Sequence, residues 1–175
     1  MSLNYPRWHK LFLFGLGLSF GAAFCMKWIE TDFGNKFTII GLELFYSKTR
    51  LLAVLTGMDA HERILLDYHL HFDFLFMAGI YPAITALCMI AMEKLRAINW
   101  RKFLYTLALV QLIAWGCDIT ENLYLLKWLK HPQIGDDFGF YHLIVATKWI
   151  IALAGALVAI ITIVVKRKNT RIPGK

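Results

Sequence analysis

Residues 103–128, FLYTLALVQLIAWGCDITENLYLLKW, decide the fold class. As a helix, this stretch is long enough to cross a hydrocarbon core about 30 Å thick, which takes roughly 20 residues. Lipid offers no hydrogen-bond partners, so a spanning segment must satisfy its own backbone as a helix. Three further apolar stretches of similar length predict an all-α integral membrane protein with a four-helix bundle. The expected spans are Leu11–Ile29, Phe72–Met92, Phe103–Trp128 and Tyr141–Val165.

The composition agrees with a membrane protein. Hydrophobic residues make up 58% of the 175 residues, against roughly 45–50% in a typical soluble domain. No repeat, low-complexity tract or Pro/Gly/Ser linker divides the chain, so residues 1–175 are expected to form a single membrane domain. The three cysteines have no CxxC spacing, which argues against a thiol oxidoreductase that needs a vicinal pair.

Basic residues predict the orientation of the spans. They cluster before the first span, between the second and third, and after the fourth, and cytoplasmic loops carry such an excess of Lys and Arg. Both termini are therefore expected in the cytoplasm. This topology accounts for the formal charge of +7, so no nucleic acid is expected as a partner. The residues concerned are Arg7, Lys10, Lys94, Arg96, Arg101, Lys102, Lys166, Arg167, Lys168, Arg171 and Lys175.

Small residues in the first span suggest helix packing. Gly17 and Gly21 lie one helical turn apart, a spacing that suits close approach to a neighbouring helix. A signal peptide is the alternative for this span, but Phe24 before Cys25 does not suit a lipoprotein-type cleavage site. We therefore expect the first span to remain in the bundle.

The connection between the first two spans, residues 33–66, is unusually apolar for an external loop. Its first part, Phe37–Tyr46, alternates imperfectly, which predicts a short hairpin or extended segment. Ser47 is expected to cap a short helix that stops near Gly57. Such a connection should lie over the extracytoplasmic mouth of the bundle or in the lipid interface as a cap.

The third span contains the strongest functional signal, a polar stripe in an otherwise apolar helix. A carboxylate at membrane depth costs roughly 2.5–3.5 kcal/mol by insertion scales, so two within one turn require partners, protons or a ligand. These side chains should face the bundle interior. The alternative is a structural network that only joins helices. The stripe comprises Gln111, Trp115, Asp118, Glu121 and Asn122.

Ionisable residues of the second and fourth spans are expected at a similar depth. Lys148 lies inside the fourth span, on the face of Tyr141, and its natural partner is a carboxylate. Asp118, Glu121 or Asp73 would supply that carboxylate if the helices are antiparallel neighbours. An ion pair of this kind is either structural or a site of proton transfer.

These placements favour an intramembrane enzyme that acts by acid/base chemistry on a lipid or lipid-linked substrate from the extracytoplasmic leaflet. Asp118 or Glu121 would be the acid/base, and Lys148 would stabilise negative charge. Asp73 completes the expected catalytic set. The expected substrate-binding residues are Asn122, Trp115, Gln111, Tyr81 and Tyr141.

Two other classes stay open. A zinc protein would use His69, Asp73, Asp118 and either Glu121 or His142, and a haem protein would need two histidines that face each other across the bundle, although no HExxH-type motif is present. A proton-coupled carrier, or a small subunit of a larger membrane complex, would also use buried carboxylates. Membrane lipid is the expected partner, and the sequence does not decide the cofactor. Small residues that would permit a homo-oligomer are Ala152, Gly155, Ala156 and Ala159.

Overall fold

The computed structural model describes residues 6–33 and 37–170, except for the side chains of residues 167–170. A 3₁₀ turn (Thr31–Phe33) and a π-turn (Gly41–Phe45) accompany the α-helices, and the described part of the chain contains no strand. The helices are α1 (Arg7–Glu30), α2 (Lys48–Gly57), α3 (Ala60–Glu93), α4 (Ile98–Lys130) and α5 (Phe138–Thr170).

Four of these helices, α1, α3, α4 and α5, are long and apolar enough to cross a membrane. The four-span, all-helical prediction is therefore confirmed at this level, and the chain has the character of a multi-pass membrane protein. The bundle has a basic end, at which α1 and α4 begin and α3 and α5 end. The opposite end is covered by residues 37–57, which we call the cap.

The long helices extend beyond their predicted bounds, most of all α3. Asp59 begins this helix as a capping box: its Oδ1 accepts a bond from the Glu62 amide at 2.9 Å, and its own amide donates to Glu62 Oε2 at 3.0 Å. Reciprocal capping of this kind satisfies two otherwise unpaired amides. The loop predicted over residues 33–66 is consequently shorter, because its last residues form the first turns of α3.

The cap differs from the predicted hairpin. The segment over Phe37–Tyr46 is a helical turn, in which Tyr46 N donates to Gly41 O at 2.8 Å and Gly41 N donates to Thr38 Oγ1 at 3.0 Å. These local bonds satisfy the backbone without a partner strand, so the extended interpretation was wrong. The short helix that follows is confirmed, since the Ser47 hydroxyl accepts a bond from Arg50 N and α2 ends at Gly57.

Apolar side chains hold the cap on the bundle. Leu42, Leu51 and Leu55 are buried in one core cluster with side chains of α3, α4 and α5, such as Leu66 and Leu125. The Tyr141 hydroxyl of α5 donates to the carbonyl of Leu42 at 3.2 Å. The cap therefore lies on the bundle mouth, as its apolar composition predicted.

Close backbone contact joins α1 to α3. A Cβ on Gly15 would lie 2.5 Å from the carbonyl oxygen of Gly79, and one on Gly79 would lie 2.6 Å from Ser19 N. Gly17 and Gly21 instead face open space, so the prediction that this pair packs on a neighbouring helix was wrong. The reason is helical phase, because the face of α1 toward α3 carries Gly15, Ser19 and Ala22.

The other long helices form a mutually packed core, with α3, α4 and α5 in pairwise contact. Toward the basic end this core is apolar and includes Ile84, Cys88, Leu104 and Ala159. Gly155 also faces inward, against Ile84 and Gln111. Gly155 and Ala159 are therefore buried within the bundle.

Candidate functional site

Lys148 of α5 lies at the centre of a buried group of carboxyls. Its Nζ atom is 2.6 Å from Glu121 Oε2, 2.7 Å from Asp118 Oδ1 and 3.4 Å from Glu43 Oε2. Lys148 is 5% exposed, Asp118 4% and Glu121 0%, so bulk water scarcely screens these charges. We call Lys148, Asp118, Glu121 and Glu43 the carboxyl cluster.

The phase of α4 explains why two members come from one helix. Asp118 and Glu121 are three residues apart and therefore occupy adjacent positions on one helical face. Gln111 and Asn122 are buried on the same side. The structure thus places the polar stripe of the third span inside the bundle, where it meets the lysine expected as its partner.

Asp118 has a partner for each carboxylate oxygen. Oδ1 contacts Lys148, and Oδ2 accepts a hydrogen bond from the Tyr81 hydroxyl at 2.8 Å. The Tyr81 ring stacks on the partly buried Trp115, with ring centroids 6.4 Å apart. Both residues were expected to bind substrate, but Tyr81 supports Asp118 from α3 and Trp115, on α4, packs on the Tyr81 ring.

Asp73 and Asn122 form a second polar contact between α3 and α4. The Asn122 amide donates to Asp73 Oδ2 at 2.8 Å and to the carbonyl of Leu70 at 3.2 Å. The direct contact of Asp73 is therefore an amide rather than Lys148. Both hydrogen bonds of the Asn122 amide nitrogen go to acceptors on α3. A substrate that accepted a bond from this nitrogen would therefore compete with Asp73.

Gln111 lies outside the cluster. Its Nε2 donates to the carbonyls of Leu107 and Ile151, both at 3.2 Å, and so it joins α4 to α5 one or two turns toward the basic end. Tyr141 lies on the opposite side of the cluster, where its hydroxyl holds the cap. The carboxyl cluster therefore lies between Gln111, on the side of the basic end, and Tyr141, on the side of the cap.

Glu43 is the member of the cluster that sequence reasoning missed. It comes from the π-turn of the cap, between Leu42 and Leu44, and its side chain is 12% exposed. Burial raises the pKa of the Glu43 carboxyl, while the nearby Lys148 ammonium opposes that shift. The available signal was an acidic residue in an otherwise apolar loop segment.

The histidines do not assemble the alternative metal site. His69 Nε2 lies 3.3 Å from Glu30 Oε1 of α1, so the carboxylate partner of His69 is Glu30 and not Asp73. His142 packs edge-on against the Phe138 ring. Among the described residues there is no group of three or more His, Cys, Asp or Glu side chains placed to hold a metal ion. His69, Asp73 and His142 are therefore not brought together as ligands.

No protein-family model, curated protein or solved structure matches the chain.

The cluster contains more acids than it can pair. One ammonium faces three carboxyls, and uncompensated charge is costly at a buried site. Protonation of carboxyls in the cluster would remove the excess negative charge without any additional cation. Glu121 also has an oxygen, Oε1, that is buried without a hydrogen-bond partner in the described structure. Such an unsatisfied oxygen costs about 1–3 kcal/mol, which a proton donor from a bound molecule would recover.

Proposed function

We propose that this protein is an intramembrane enzyme that uses acid/base chemistry on a lipid or lipid-linked substrate taken from the extracytoplasmic leaflet. The observation that carries the proposal is the carboxyl cluster, in which Lys148 contacts Asp118, Glu121 and Glu43 at one buried point. A cluster with excess acids can both give and accept a proton, the requirement for general acid/base catalysis.

The contacts support different roles for the two carboxyls of α4. Both oxygens of Asp118 are occupied, by Lys148 and Tyr81, so Asp118 is a positioning residue that orients the lysine. Glu121 uses one oxygen for Lys148 and has the other unpaired, so it is the proton-transfer group. Lys148 stabilises negative charge that develops on the substrate.

The position of the cluster supports a lipid substrate. It lies beneath the cap, whose exposed apolar residues include Ile40 and Phe45, a composition that suits the lipid interface. The basic end is on the opposite side of the bundle, so the positive-inside rule puts the cap and the cluster toward the extracytoplasmic leaflet.

The rest of the core favours an enzyme over a carrier. A carrier for protons or ions needs polar groups on both sides of its central site. Between Gln111 and the basic end, the described buried side chains of α3, α4 and α5 include no charged group, as at Ile84, Leu104 and Ala159. Gln111 and the part-buried Thr85 are themselves bonded to backbone carbonyls.

The proposal is tested by reconstituting the full chain into vesicles made from a total membrane lipid extract and following lipid species by mass spectrometry. We expect one lipid or lipid-linked species to be converted by the wild type. Glu121→Gln and Asp118→Asn should each reduce the rate by about 100-fold or more. Glu93→Gln, the same change at an exposed glutamate of α3, is the matched control and should keep the wild-type rate.

Unfolding of the same variants separates catalysis from structure. In Asp118→Asn, Lys148 keeps Glu121 and Glu43 as partners, so the unfolding midpoint should change little. A purely structural network predicts a large fall in the midpoint, since breaking a buried pair can cost about 3–5 kcal/mol. Conversion that persists in Glu121→Gln would contradict the assignment, and a wild type that converts no lipid species would contradict the proposed function.

A further inference from the structure

A groove of about 1290 Å³ opens at the basic end of the bundle, far along the helices from the carboxyl cluster. One wall is formed by the connection between α3 and α4 and by the first turns of α4. The other wall is the last part of α5, from Val158 to Lys166. At a rise of 1.5 Å per residue, the distance from Val158 to Lys166 along this wall is about 12 Å.

The groove is positively charged. Lys94 and Arg96 lie on the first wall and Lys166 lies on the second, and no acidic residue lines it within the described part of the chain. Cations brought together on two sides of one groove favour an anionic occupant. A second copy of this chain would bring three more cations to the same place, which argues against a self-association surface.

The remaining lining is apolar, which distinguishes a lipid from a free anion. Trp100 and Phe103 face Val158, Ile161 and Val165 across the groove, and Ile161 is 58% exposed. An inorganic phosphate needs neither this apolar surface nor this volume, since even drug-sized ligands occupy pockets of about 300–1,000 Å³. An acyl chain would fill the volume of the groove and cover its apolar surface.

We infer that this groove is a binding site for an anionic phospholipid, with its headgroup at Lys94, Arg96 and Lys166 and an acyl chain along Val158, Ile161 and Val165. Basic pockets between membrane helices hold lipid headgroups through the same combination of charge and apolar contact. The site is separate from the carboxyl cluster, and its occupation does not depend on the proposed catalysis.

Native mass spectrometry of the detergent-solubilised full chain tests the inference. The probes are phosphatidylglycerol and phosphatidylcholine with identical acyl chains, so the two lipids differ only in the headgroup, which is anionic in the first and zwitterionic in the second. We expect the wild type to bind phosphatidylglycerol at least about tenfold more tightly, because the three cations of the groove attract its anionic headgroup. Equal affinity for the two lipids would overturn the site.

Two triple variants locate the preference. Lys94→Gln/Arg96→Gln/Lys166→Gln should remove the preference for phosphatidylglycerol. Lys10→Gln/Arg101→Gln/Lys102→Gln removes the same charge from exposed positions at the same end of the bundle and should keep it. Loss of the preference in both variants would mean that net charge, and not the groove, attracts the lipid.

A third variant tests the acyl chain separately. Ile161→Trp adds bulk to the apolar wall without changing the charge, and it should weaken phosphatidylglycerol binding by about tenfold. Unchanged lipid binding in this variant, or complete displacement of the lipid by inorganic phosphate, would show a simple anion site and overturn the inference.

Discussion

At the scale of single residues, Glu43 changes how the carboxyl cluster is understood. It arrives from the cap, whereas Asp118, Glu121 and Lys148 come from the long helices. The cap therefore contributes an ionisable group to the site that it covers. Movement of the cap would remove one of the three carboxyl partners of Lys148, which connects access to the site with its charge.

The raised pKa of Glu43 predicts a pH dependence of stability. Between its ordinary pKa of 4.5 and the raised value, the folded chain binds more protons than the unfolded chain. Stability should consequently fall as pH increases through this window, with a contribution of at most about 1.4 kcal/mol per pH unit. Glu43→Gln cannot titrate and should flatten the dependence of the unfolding midpoint on pH.

The exposed Asp136 provides a control for this measurement. Asp136→Asn should keep the pH dependence of the wild type, since its carboxylate is fully exposed beside Lys48. If the unfolding midpoints of Glu43→Gln and the wild type depend on pH in the same way, the prediction from the raised pKa of Glu43 is wrong.

At the scale of elements, the attachment of α1 depends on two glycines. Gly15 and Gly79 allow the backbones of α1 and α3 to meet where any side chain would collide with a carbonyl oxygen or an amide. Glycine is otherwise unfavourable within a helix. The contact also keeps α1 beside α3, where Glu30 of α1 meets His69 of α3.

Two neighbouring substitutions test this contact. Gly15→Ala should lower the free energy of unfolding by about 1–3 kcal/mol, because its Cβ would overlap the Gly79 carbonyl. Gly17→Ala is the control on the same helix. It meets nothing within 4 Å and should leave the midpoint unchanged or raise stability by up to about 1 kcal/mol. Equal effects of the two changes in thermal unfolding would contradict this packing.

At the scale of the whole molecule, charge and polarity are divided between the two ends. Exposed cations such as Lys94, Arg96 and Lys166 are in excess at one end. At the other end, near the buried carboxyl cluster, cations such as Lys27 and Lys48 lie beside carboxylates. The proposed orientation follows from this division, since it puts the cations in the cytoplasm.

Reporter fusions test the proposed orientation. A reporter that is active only outside the cytoplasm should work when fused near Asp59 or Asp136 and should fail near Lys94 or after Lys168. The opposite pattern would reverse the membrane orientation and place the carboxyl cluster toward the cytoplasm.

The sequence by itself determined the four long helices, the capped start of α2 and the inward face of α4. These features depend on local quantities: segment length, hydropathy and the 3.6-residue period. The stripe from Gln111 to Asn122 could be assigned to the interior because a lipid-facing carboxylate is too costly. Lys148 could be assigned a carboxylate partner for the same reason.

Only the tertiary structure decided which groups actually meet. Glu43 joins Lys148, Glu30 joins His69, and Gly15 rather than Gly17 faces α3. Each outcome depends on how far one helix is rotated and shifted against another, and on the conformation of the cap. The periodicity of a single segment contains no information about either, because these positions are set by packing between segments distant in sequence.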